Sequence, residues 1–323
     1  MTGETTTQWG ILGCGDVTEV KSGPALQKAE RSKVLTAMRR DGAKARDYAQ
    51  RHGIAGWTDD ADVLLNGPDT NAIYIATPPS THADYAVRAM RAGKDVLVEK
   101  PMAITVSECE QMIAAQKETG KKLVVAYYRR ALPRFERFRQ IALSGELGPL
   151  RMIELRQFAP ADVRPGQSWK TDTNVGGGGL FADMQTHALD WLCYTFGVPR
   201  SVAGLKKNQS GQDAAEDMVS YLMDFGAVAA TGLFSYASGE RNEEVVLHCD
   251  AGRASMGFFQ PSPITVSTPD GEEHTIDLPD PPHVHQPFID KVVAHFLDDA
   301  PNPCSAEDGA QANRLMEQVF QGL

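Results

Sequence analysis

The sequence lacks several features that would identify whole classes of protein. No apolar run approaches the roughly 20 residues that a membrane-spanning helix needs, so we expect no membrane partner. The first eight residues have neither the basic start nor the apolar stretch of a secretory signal. Internal repeats and low-complexity tracts are also missing.

Positive charge is scarce. The chain has 32 Lys and Arg residues against 42 Asp and Glu residues, a net charge of −10. Nucleic acids and anionic membranes bind basic surfaces. We therefore predict no nucleic acid partner and expect any anion site to be local.

Cysteine is also scarce, and its pattern excludes two kinds of stabilisation. An odd number of scattered cysteines, none in a C-x-x-C pair, argues against a disulfide framework and against structural zinc. His283 and His285 have no third ligand nearby in sequence, so we predict no metal site. A reducing cytoplasm fits best. The five cysteines are Cys14, Cys109, Cys193, Cys249 and Cys304.

A chain of 323 residues is long enough for about two domains. Up to residue 126, short apolar runs alternate with segments of helical periodicity, which predicts a doubly wound α/β (Rossmann) domain over 1–126 with a buried parallel sheet. The predicted strands are 8–12, 33–38, 72–76, 95–98 and 122–126, and the predicted helices are 43–52, 80–92 and 106–119.

The second half has a different pattern of apolar runs and turns. Several strand-like runs follow one another through short Gly- or Asp-containing turns, which indicates a largely antiparallel, open sheet in an α+β domain over 127–323. Its final helices could pack back on the first domain. Its strands are predicted near 149–158, 200–207, 217–225, 227–236, 243–249 and 253–258, and its helices at 133–143, 180–196, 286–298 and 305–320.

A glycine-rich turn directly after the first predicted strand predicts a dinucleotide site. Glycines allow a backbone to approach a pyrophosphate, and the next helix offers unpaired N–H groups. The third position of the pattern is Thr18 instead of Gly or Ala. A tight turn without a ligand is the alternative. The predicted cofactor-binding residues are Gly13, Cys14, Gly15, Asp16 and Val17.

The end of the second strand bears on the choice of cofactor. NAD-preferring domains place Asp or Glu there to bind the ribose hydroxyls, whereas this chain has Arg39 and Arg40. A guanidinium pairs with a 2′-phosphate in bidentate fashion and stacks on adenine. NADP(H) is therefore favoured over NAD(H), and solvated arginines beside a turn are the alternative.

Three further motifs follow in order: Thr77-Pro-Pro-x-x-His82, Glu99-Lys100-Pro101, and Gly176-Gly-Gly-Gly-x-x-x-Asp183-x-x-x-His187. Together they resemble the glucose–fructose oxidoreductase/inositol dehydrogenase (Gfo/Idh/MocA) family, from about residue 8 to the end. The glycine turn and the two arginines are most similar to a reductase-like branch that includes 1,5-anhydrofructose reductases. The resemblance implies an NAD(P)-dependent enzyme for carbohydrate-like substrates.

The resemblance also implies a catalytic trio of Lys100, Asp183 and His187, and a cis peptide bond between Lys100 and Pro101. Asp183 and His187, four residues apart on the predicted helix 180–196, would share one face. We expect them to meet Lys100 in a crevice between the domains. His187 is the candidate general acid and base, and Lys100 would stabilise the developing alkoxide.

Other candidates are weaker. The resemblance places Thr77, Pro78, His82, Glu99 and Lys100 beside the cofactor. It places Tyr128 near the nicotinamide, although the family often has Asn at that position. Trp169 precedes the glycine run and either walls the pocket or packs on a loop. His285 is predicted to face the substrate.

Two other functions remain open. One is a dehydratase or glycosidase of the same fold that retains its cofactor, and the other is a cofactor-sensing regulator. Apolar residues on both faces of the predicted strand 217–225 predict that a partner sheet covers the outer face, as in a homodimer.

Overall fold

The computed structural model describes residues 5–160 and 169–322. Two compact units are present. The first contains the described residues up to Ala131 together with Pro281–Ala310, and the second contains Leu132–Asp280 and the residues from Gln311 onward. The segment Pro281–Ala310 thus groups with the first unit.

The first unit is built on a parallel sheet. Its strands β4 and β5 are buried on both faces, which explains why their sequences are apolar throughout. The spatial order is β3-β2-β1-β4-β5-β6, so the topological switch point lies between β1 and β4. The strands are β1 (Thr7–Leu12), β2 (Ser32–Met38), β3 (Gly56–Thr58), β4 (Ala72–Ile75), β5 (Asp95–Val98) and β6 (Leu123–Val125).

Helices connect these strands, and the two longest predicted ones are confirmed to within a few residues. The α6 helix begins with a Thr105 capping box and ends at Gly120, which has a left-handed backbone. The helices are α1 (Asp16–Val20), α2 (Ser22–Lys28), α3 (Gly42–Arg51), α4 (Ala61–Asn66), α5 (His82–Arg91) and α6 (Val106–Thr119).

Pro24 explains why the helix after the glycine turn is divided into α1 and α2. Proline has no N–H to donate to the carbonyl four residues earlier, and its ring clashes with that carbonyl. The carbonyl concerned is that of Val20, where α1 ends. It accepts a hydrogen bond from His283 Nδ1 at 2.9 Å instead.

The second unit contains a mixed sheet of eight strands in the order β14-β13-β12-β11-β7-β10-β9-β8. All pairs are antiparallel except β7 with β10, so the predicted largely antiparallel sheet is confirmed. The strands are β7 (Leu150–Phe158), β8 (Ser201–Lys207), β9 (Met218–Asp224), β10 (Ala229–Ser235), β11 (Asn242–Cys249), β12 (Gly252–Met256), β13 (Ile264–Ser267) and β14 (Glu273–Ile276).

The remaining helices include one correction. A single helix over 180–196 was predicted, but the chain forms two helices separated at Gln185. Asp183 and His187 therefore lie on different helices, not on successive turns of one. The helices are α7 (Pro133–Ser144), α8 (Thr173–Gly176), α9 (Leu180–Met184), α10 (Thr186–Phe196), α11 (Gln286–Asp298) and α12 (Ala306–Gln321).

Gln185 is held at this break by distant partners. Its side chain is buried, and its Nε2 donates to Gln157 Oε1 on β7 at 2.7 Å. Its carbonyl accepts from both Ala188 and Leu189, so α10 starts with a shared hydrogen bond. Among the described helices, none is both long and apolar enough to cross a bilayer.

One face of the β8-β9-β10 region exposes large apolar side chains. Leu205, Leu222 and Leu233 are 40 %, 52 % and 44 % exposed. Leu205 and Leu233 both pair with Ser220, so the three leucines share a face of the sheet. The opposite face of β9 is buried, as the alternation predicted.

Candidate active site

Gly13 and Gly15 of the glycine turn are required for different reasons. Gly13 has φ +98°, and a Cβ there would lie 2.8 Å from the backbone nitrogen of Thr77. Gly15 has open space instead, because the nearest atom to its hypothetical Cβ is the Gly13 oxygen at 3.9 Å. Gly13 thus allows two loops of the first unit to touch, whereas Gly15 leaves a cradle that a side chain would fill. That cradle fits a dinucleotide phosphate.

Thr18, the departure from the usual pattern, stabilises this turn. Its Oγ1 accepts from the Gly15 N–H at 3.0 Å and donates to the Gly15 carbonyl at 2.8 Å. The Tyr48 hydroxyl donates to the Thr18 carbonyl at 3.0 Å. Cys14 is buried within the turn, while Asp16 is exposed and Val17 is half-buried at the start of α1.

Arg39 lies beside the glycine turn. Its Nη1 donates to the carbonyl oxygen of Cys14 at 3.2 Å, although most of the residue is exposed, as is Arg40. The adjacent carboxylate of Asp41 caps α3 by accepting from the Lys44 N–H. The end of β2 is therefore followed by two arginines, and Asp41, the next residue in sequence, already caps α3.

His82 joins two loops at the carboxyl edge of the sheet. Its side chain is buried, with Nε2 at 2.8 Å from the Thr77 oxygen and Nδ1 at 3.0 Å from the Pro101 oxygen. Burial lowers the pKa of His82, so one ring nitrogen donates while the ring fills the space between the loops. His82 thus bridges the loop that contains Thr77 and Pro78 to the loop that contains Lys100.

Lys100 follows β5, and its peptide bond to Pro101 is cis, as the resemblance implied. The preceding residue, Glu99, is buried. The Tyr74 hydroxyl donates to Glu99 Oε1 at 2.6 Å, and the Lys100 N–H donates to Glu99 Oε2 at 3.3 Å. The backbone at Lys100 is therefore connected through Glu99 to Tyr74 on the neighbouring strand β4.

Tyr128 and His285 form a stacked pair in the same unit. Their rings are 4.2 Å apart at 27°, and both side chains are buried. Arg129 Nη1 donates to the Tyr128 hydroxyl at 2.6 Å. His283 turns to different partners, Val20 and Lys28.

In the second unit, Asp183 is paired with a residue that the sequence reading did not assign. Lys170 Nζ lies 2.8 Å from Asp183 Oδ2. Lys170 also lies 5.6 Å from the ring of Trp169, which is itself 41 % exposed. His187, on α10, is only 5 % exposed. A lysine directly after the tryptophan was the signal that could have drawn attention to this pair.

The glycine run before α9 makes room for a buried acid. Glu216 Oε1 accepts from the Gly179 N–H at 2.7 Å and so caps the helix that carries Asp183. A Cβ on Gly179 would lie 2.4 Å from the Glu216 carbonyl, and one on Gly178 would lie 2.6 Å from Ala182 Cβ. Burial raises the pKa of Glu216. At least two of the four glycines are therefore needed for packing within this unit.

Comparison with known proteins agrees with this fold. Residues 7–127 match the family model described as an oxidoreductase family with an NAD-binding Rossmann fold, and residues 135–255 match the GFO/IDH/MocA C-terminal domain. Oxidoreductase P35 of Formosa agariphila is 36 % identical over 99 % of both chains. The 1,5-anhydro-D-fructose reductase of Ensifer adhaerens is 27 % identical over 66 % of this chain and 64 % of its own length.

A solved structure extends the likeness to the whole fold. The 3-ketoreductase of Actinomadura kijaniata, in complex with NADP and TDP-benzene, superposes with a TM-score of 0.87 at 21 % identity and covers 98 % of each chain. The chain belongs to the Gfo/Idh/MocA family of oxidoreductases. It is an NAD(P)-dependent dehydrogenase or reductase with a Rossmann domain that binds the nucleotide.

The open cradle at Gly15 leads to a prediction. Gly15→Ala should lower the affinity for NADPH by about tenfold or more, because its methyl group takes the space of a phosphate oxygen, a loss of roughly 1.4 kcal/mol. Its melting temperature should stay close to the native value, since the methyl group meets nothing within 3.9 Å. Fluorescence titration and thermal melting measure the two effects.

The matched control is Gly239→Ala, because Gly239 lies in the second unit with no atom within 4 Å of its hypothetical Cβ. It should change neither quantity. Native affinity in Gly15→Ala would show that the turn does not hold the phosphates.

Proposed function

We propose that this oxidoreductase uses NADP(H) to transfer a hydride between the nicotinamide and the carbonyl or alcohol carbon of a sugar-like or polyol substrate. The observation that carries the proposal is that Lys100 projects from a backbone fixed by the buried Glu99 and His82. Such rigid support is what a catalytic group requires. The name of the Ensifer relative supports a sugar-like carbonyl.

When bound, the nicotinamide supplies or accepts the hydride. The Lys100 ammonium donates a hydrogen bond to the reacting oxygen and stabilises its developing negative charge. The His187 imidazole gives a proton in reduction and takes one in oxidation, a task suited to its ordinary pKa range. Asp183, oriented by Lys170 and by the cap on its helix, accepts a hydrogen bond from a neighbouring substrate hydroxyl.

Alanine substitutions test these roles. Lys100→Ala and His187→Ala should each lower kcat by about 10²–10⁴-fold, the usual contribution of a proton-transfer or charge-stabilising group. NADPH affinity should change by less than about twofold, because neither side chain holds the phosphates. The assay is nicotinamide absorbance with sugars, anhydro-sugars, inositols and dihydrodiols.

His274→Ala is the control, since His274 is exposed on β14. Native turnover in both Lys100→Ala and His187→Ala would contradict the proposal. Turnover by the native chain without net change in nicotinamide absorbance would favour a dehydratase or glycosidase that retains its cofactor. Cofactor binding without turnover of any substrate would favour a sensor.

The preference for NADP(H) rests on Arg39 and Arg40. Arg39 is already directed to the glycine turn by its bond to Cys14, and Asp41 is occupied as a helix cap. A 2′-phosphate there would gain guanidinium partners.

Arg39→Ala should therefore weaken NADPH binding by about 10–100-fold, the equivalent of one or two charge-assisted hydrogen bonds. NADH binding should weaken much less than NADPH binding, because NADH has no 2′-phosphate and loses only the stacking of the guanidinium on adenine. Paired titrations of native and variant protein measure both affinities. The control is Arg241→Ala, at an exposed arginine of the second unit. Tighter binding of NADH than of NADPH by the native chain would refute the assignment.

The exposed leucines of β8, β9 and β10 support a second copy of the chain as the partner. Leu205, Leu222 and Leu233 form one apolar patch, and homodimers commonly bury such a self-complementary face. The proposal is a homo-oligomer formed through this sheet.

Leu222→Asp should convert the oligomer to a monomer, because each copy would bury a carboxylate without a partner. Sedimentation velocity at micromolar concentration measures the change. Leu143→Asp is the matched control, since Leu143 on α7 is 51 % exposed outside this patch. A native chain that is monomeric under these conditions would exclude the proposal.

The cysteines support a cytoplasmic location. Among the described residues no disulfide joins any of the five, and Cys14, Cys109 and Cys304 are buried. Buried thiols outside disulfides are compatible with a reducing compartment.

A further inference from the structure

A group of buried polar side chains lies around Glu99 in the first unit. Tyr74, Glu99, Tyr128 and His285 are each at most 8 % exposed. Buried polar groups are costly unless they are hydrogen-bonded, so their arrangement calls for a reason. Tyr74 has no role in the site described above beyond this contact.

The Tyr74 hydroxyl and the Glu99 side chain are joined by a short hydrogen bond. The hydroxyl donates to Oε1 at 2.6 Å. Oε2 accepts from the Lys100 N–H at 3.3 Å. Both oxygens therefore accept a hydrogen bond, an arrangement that suits a carboxylate. The two bonds connect β4 to the residue that follows β5.

His285 closes another side of the carboxylate without neutralising it. Its Nδ1 lies 3.9 Å from Glu99 Oε1, and neither ring nitrogen has a hydrogen-bond partner among the described residues. Burial, followed by the smaller effects of the Lys21, Arg129 and Lys100 charges, lowers the pKa of His285 to about 3. The ring is therefore neutral at physiological pH, and it stacks on the Tyr128 ring.

The charge of Glu99 depends on its donors. Burial raises the pKa of Glu99 above its ordinary value, and the Tyr74 hydrogen bond, the Lys100 charge and N–H, and the charge of Lys21 limit that rise. These groups and the neutral His285 face the carboxylate from four elements. Tyr74 lies on β4, Lys100 in the loop after β5, Lys21 between α1 and α2, and His285 directly before α11. Tyr74 is the neutral donor that can be removed by deleting one atom.

We propose that Tyr74 is a positioning residue for catalysis: its hydroxyl keeps the Glu99 side chain ionised and fixed against the Lys100 backbone, so that Lys100 keeps its direction toward the reacting oxygen. His285 excludes water from the same carboxylate. The catalytic half of this statement rests on the proposed function of Lys100, whereas the ionisation of Glu99 does not.

The first test is the pH dependence of kcat in the direction of reduction, with NADPH and 1,5-anhydro-D-fructose as the probe. The proton donor must be protonated in this direction, so it gives the alkaline limb. The carboxyl groups that act as hydrogen-bond acceptors, Glu99 and Asp183, both contribute to the acidic limb, and only the Glu99 contribution depends on Tyr74. Tyr74→Phe should move the acidic limb to higher pH by about one unit, because a carboxylate that loses a donor takes up a proton more readily.

The second test needs no substrate. A carboxyl whose pKa is higher in the folded than in the unfolded chain contributes stability that is present below its unfolded pKa and is lost as pH rises through its folded pKa. Tyr74→Phe raises the folded pKa further. Its melting-temperature deficit relative to the native chain should therefore grow as pH rises from about 4.5 toward neutrality, and should largely disappear when both chains also carry Glu99→Gln.

Tyr221→Phe is the matched control. Tyr221 is a buried tyrosine of the second unit whose hydroxyl has no hydrogen-bond partner among the described residues. It should shift neither the acidic limb nor the pH dependence of melting. NADPH affinity should stay within about twofold of native in Tyr74→Phe, since the hydroxyl does not touch the phosphate turn.

The outcomes separate this inference from the proposed function. A Tyr74→Phe deficit that is equal at every pH and persists beside Glu99→Gln would mean a purely structural tyrosine and would overturn the inference. If Tyr74→Phe does not fold, Glu99→Gln alone decides: retention of the native acidic limb overturns the inference, and a displaced acidic limb supports it. Full activity of Lys100→Ala would instead remove the proposed function and leave the melting test of Glu99 intact.

Discussion

The hydrogen-bonded side chain of Glu99, at the carboxyl edge of the parallel sheet, is the constraint on which this part of the first unit depends. Glu99 accepts from Tyr74 on β4 and from the N–H of Lys100 after β5, so two neighbouring strands end in one shared set of bonds. Burial of an ion costs several kcal/mol unless its oxygens are satisfied, which explains why the strand contains a tyrosine where a phenylalanine would fit. His82 holds the same loop at Pro101. Lys100 therefore projects from a backbone that is fixed on both sides.

Much of the fold could be predicted because its signals are local. Runs such as Ala72–Ile75 are apolar on both faces, as strands of a covered parallel sheet must be. The β13–β14 hairpin was missed because β14 is largely exposed and carries few apolar residues, although Thr268-Pro-Asp-Gly271 was a usable turn signal. The break at Gln185 has neither Gly nor Pro to mark it. It depends on Gln157, which is 28 residues away in sequence.

The residues of the site also fall into two groups, those that local motifs indicate and those that only the tertiary structure brings together. The glycine turn and the catalytic candidates could be found from motifs of a few residues, but the side chains that hold them could not. Tyr74 is 25 residues from Glu99, and Lys170 is 13 residues from Asp183, so each pair is created by the tertiary structure. A hydroxyl within an otherwise apolar strand was the available hint, because a buried tyrosine usually finds a hydrogen-bond partner.

The ionisation of Glu99 is measured most directly by infrared difference spectroscopy between the native chain and Glu99→Gln at neutral pH. The bonds from Tyr74 and from the Lys100 N–H predict that the native chain contributes the antisymmetric stretch of a carboxylate, which the variant lacks. A lost band at the position of a protonated carboxyl group would contradict this. Glu99 would then be a neutral hydrogen-bonding residue.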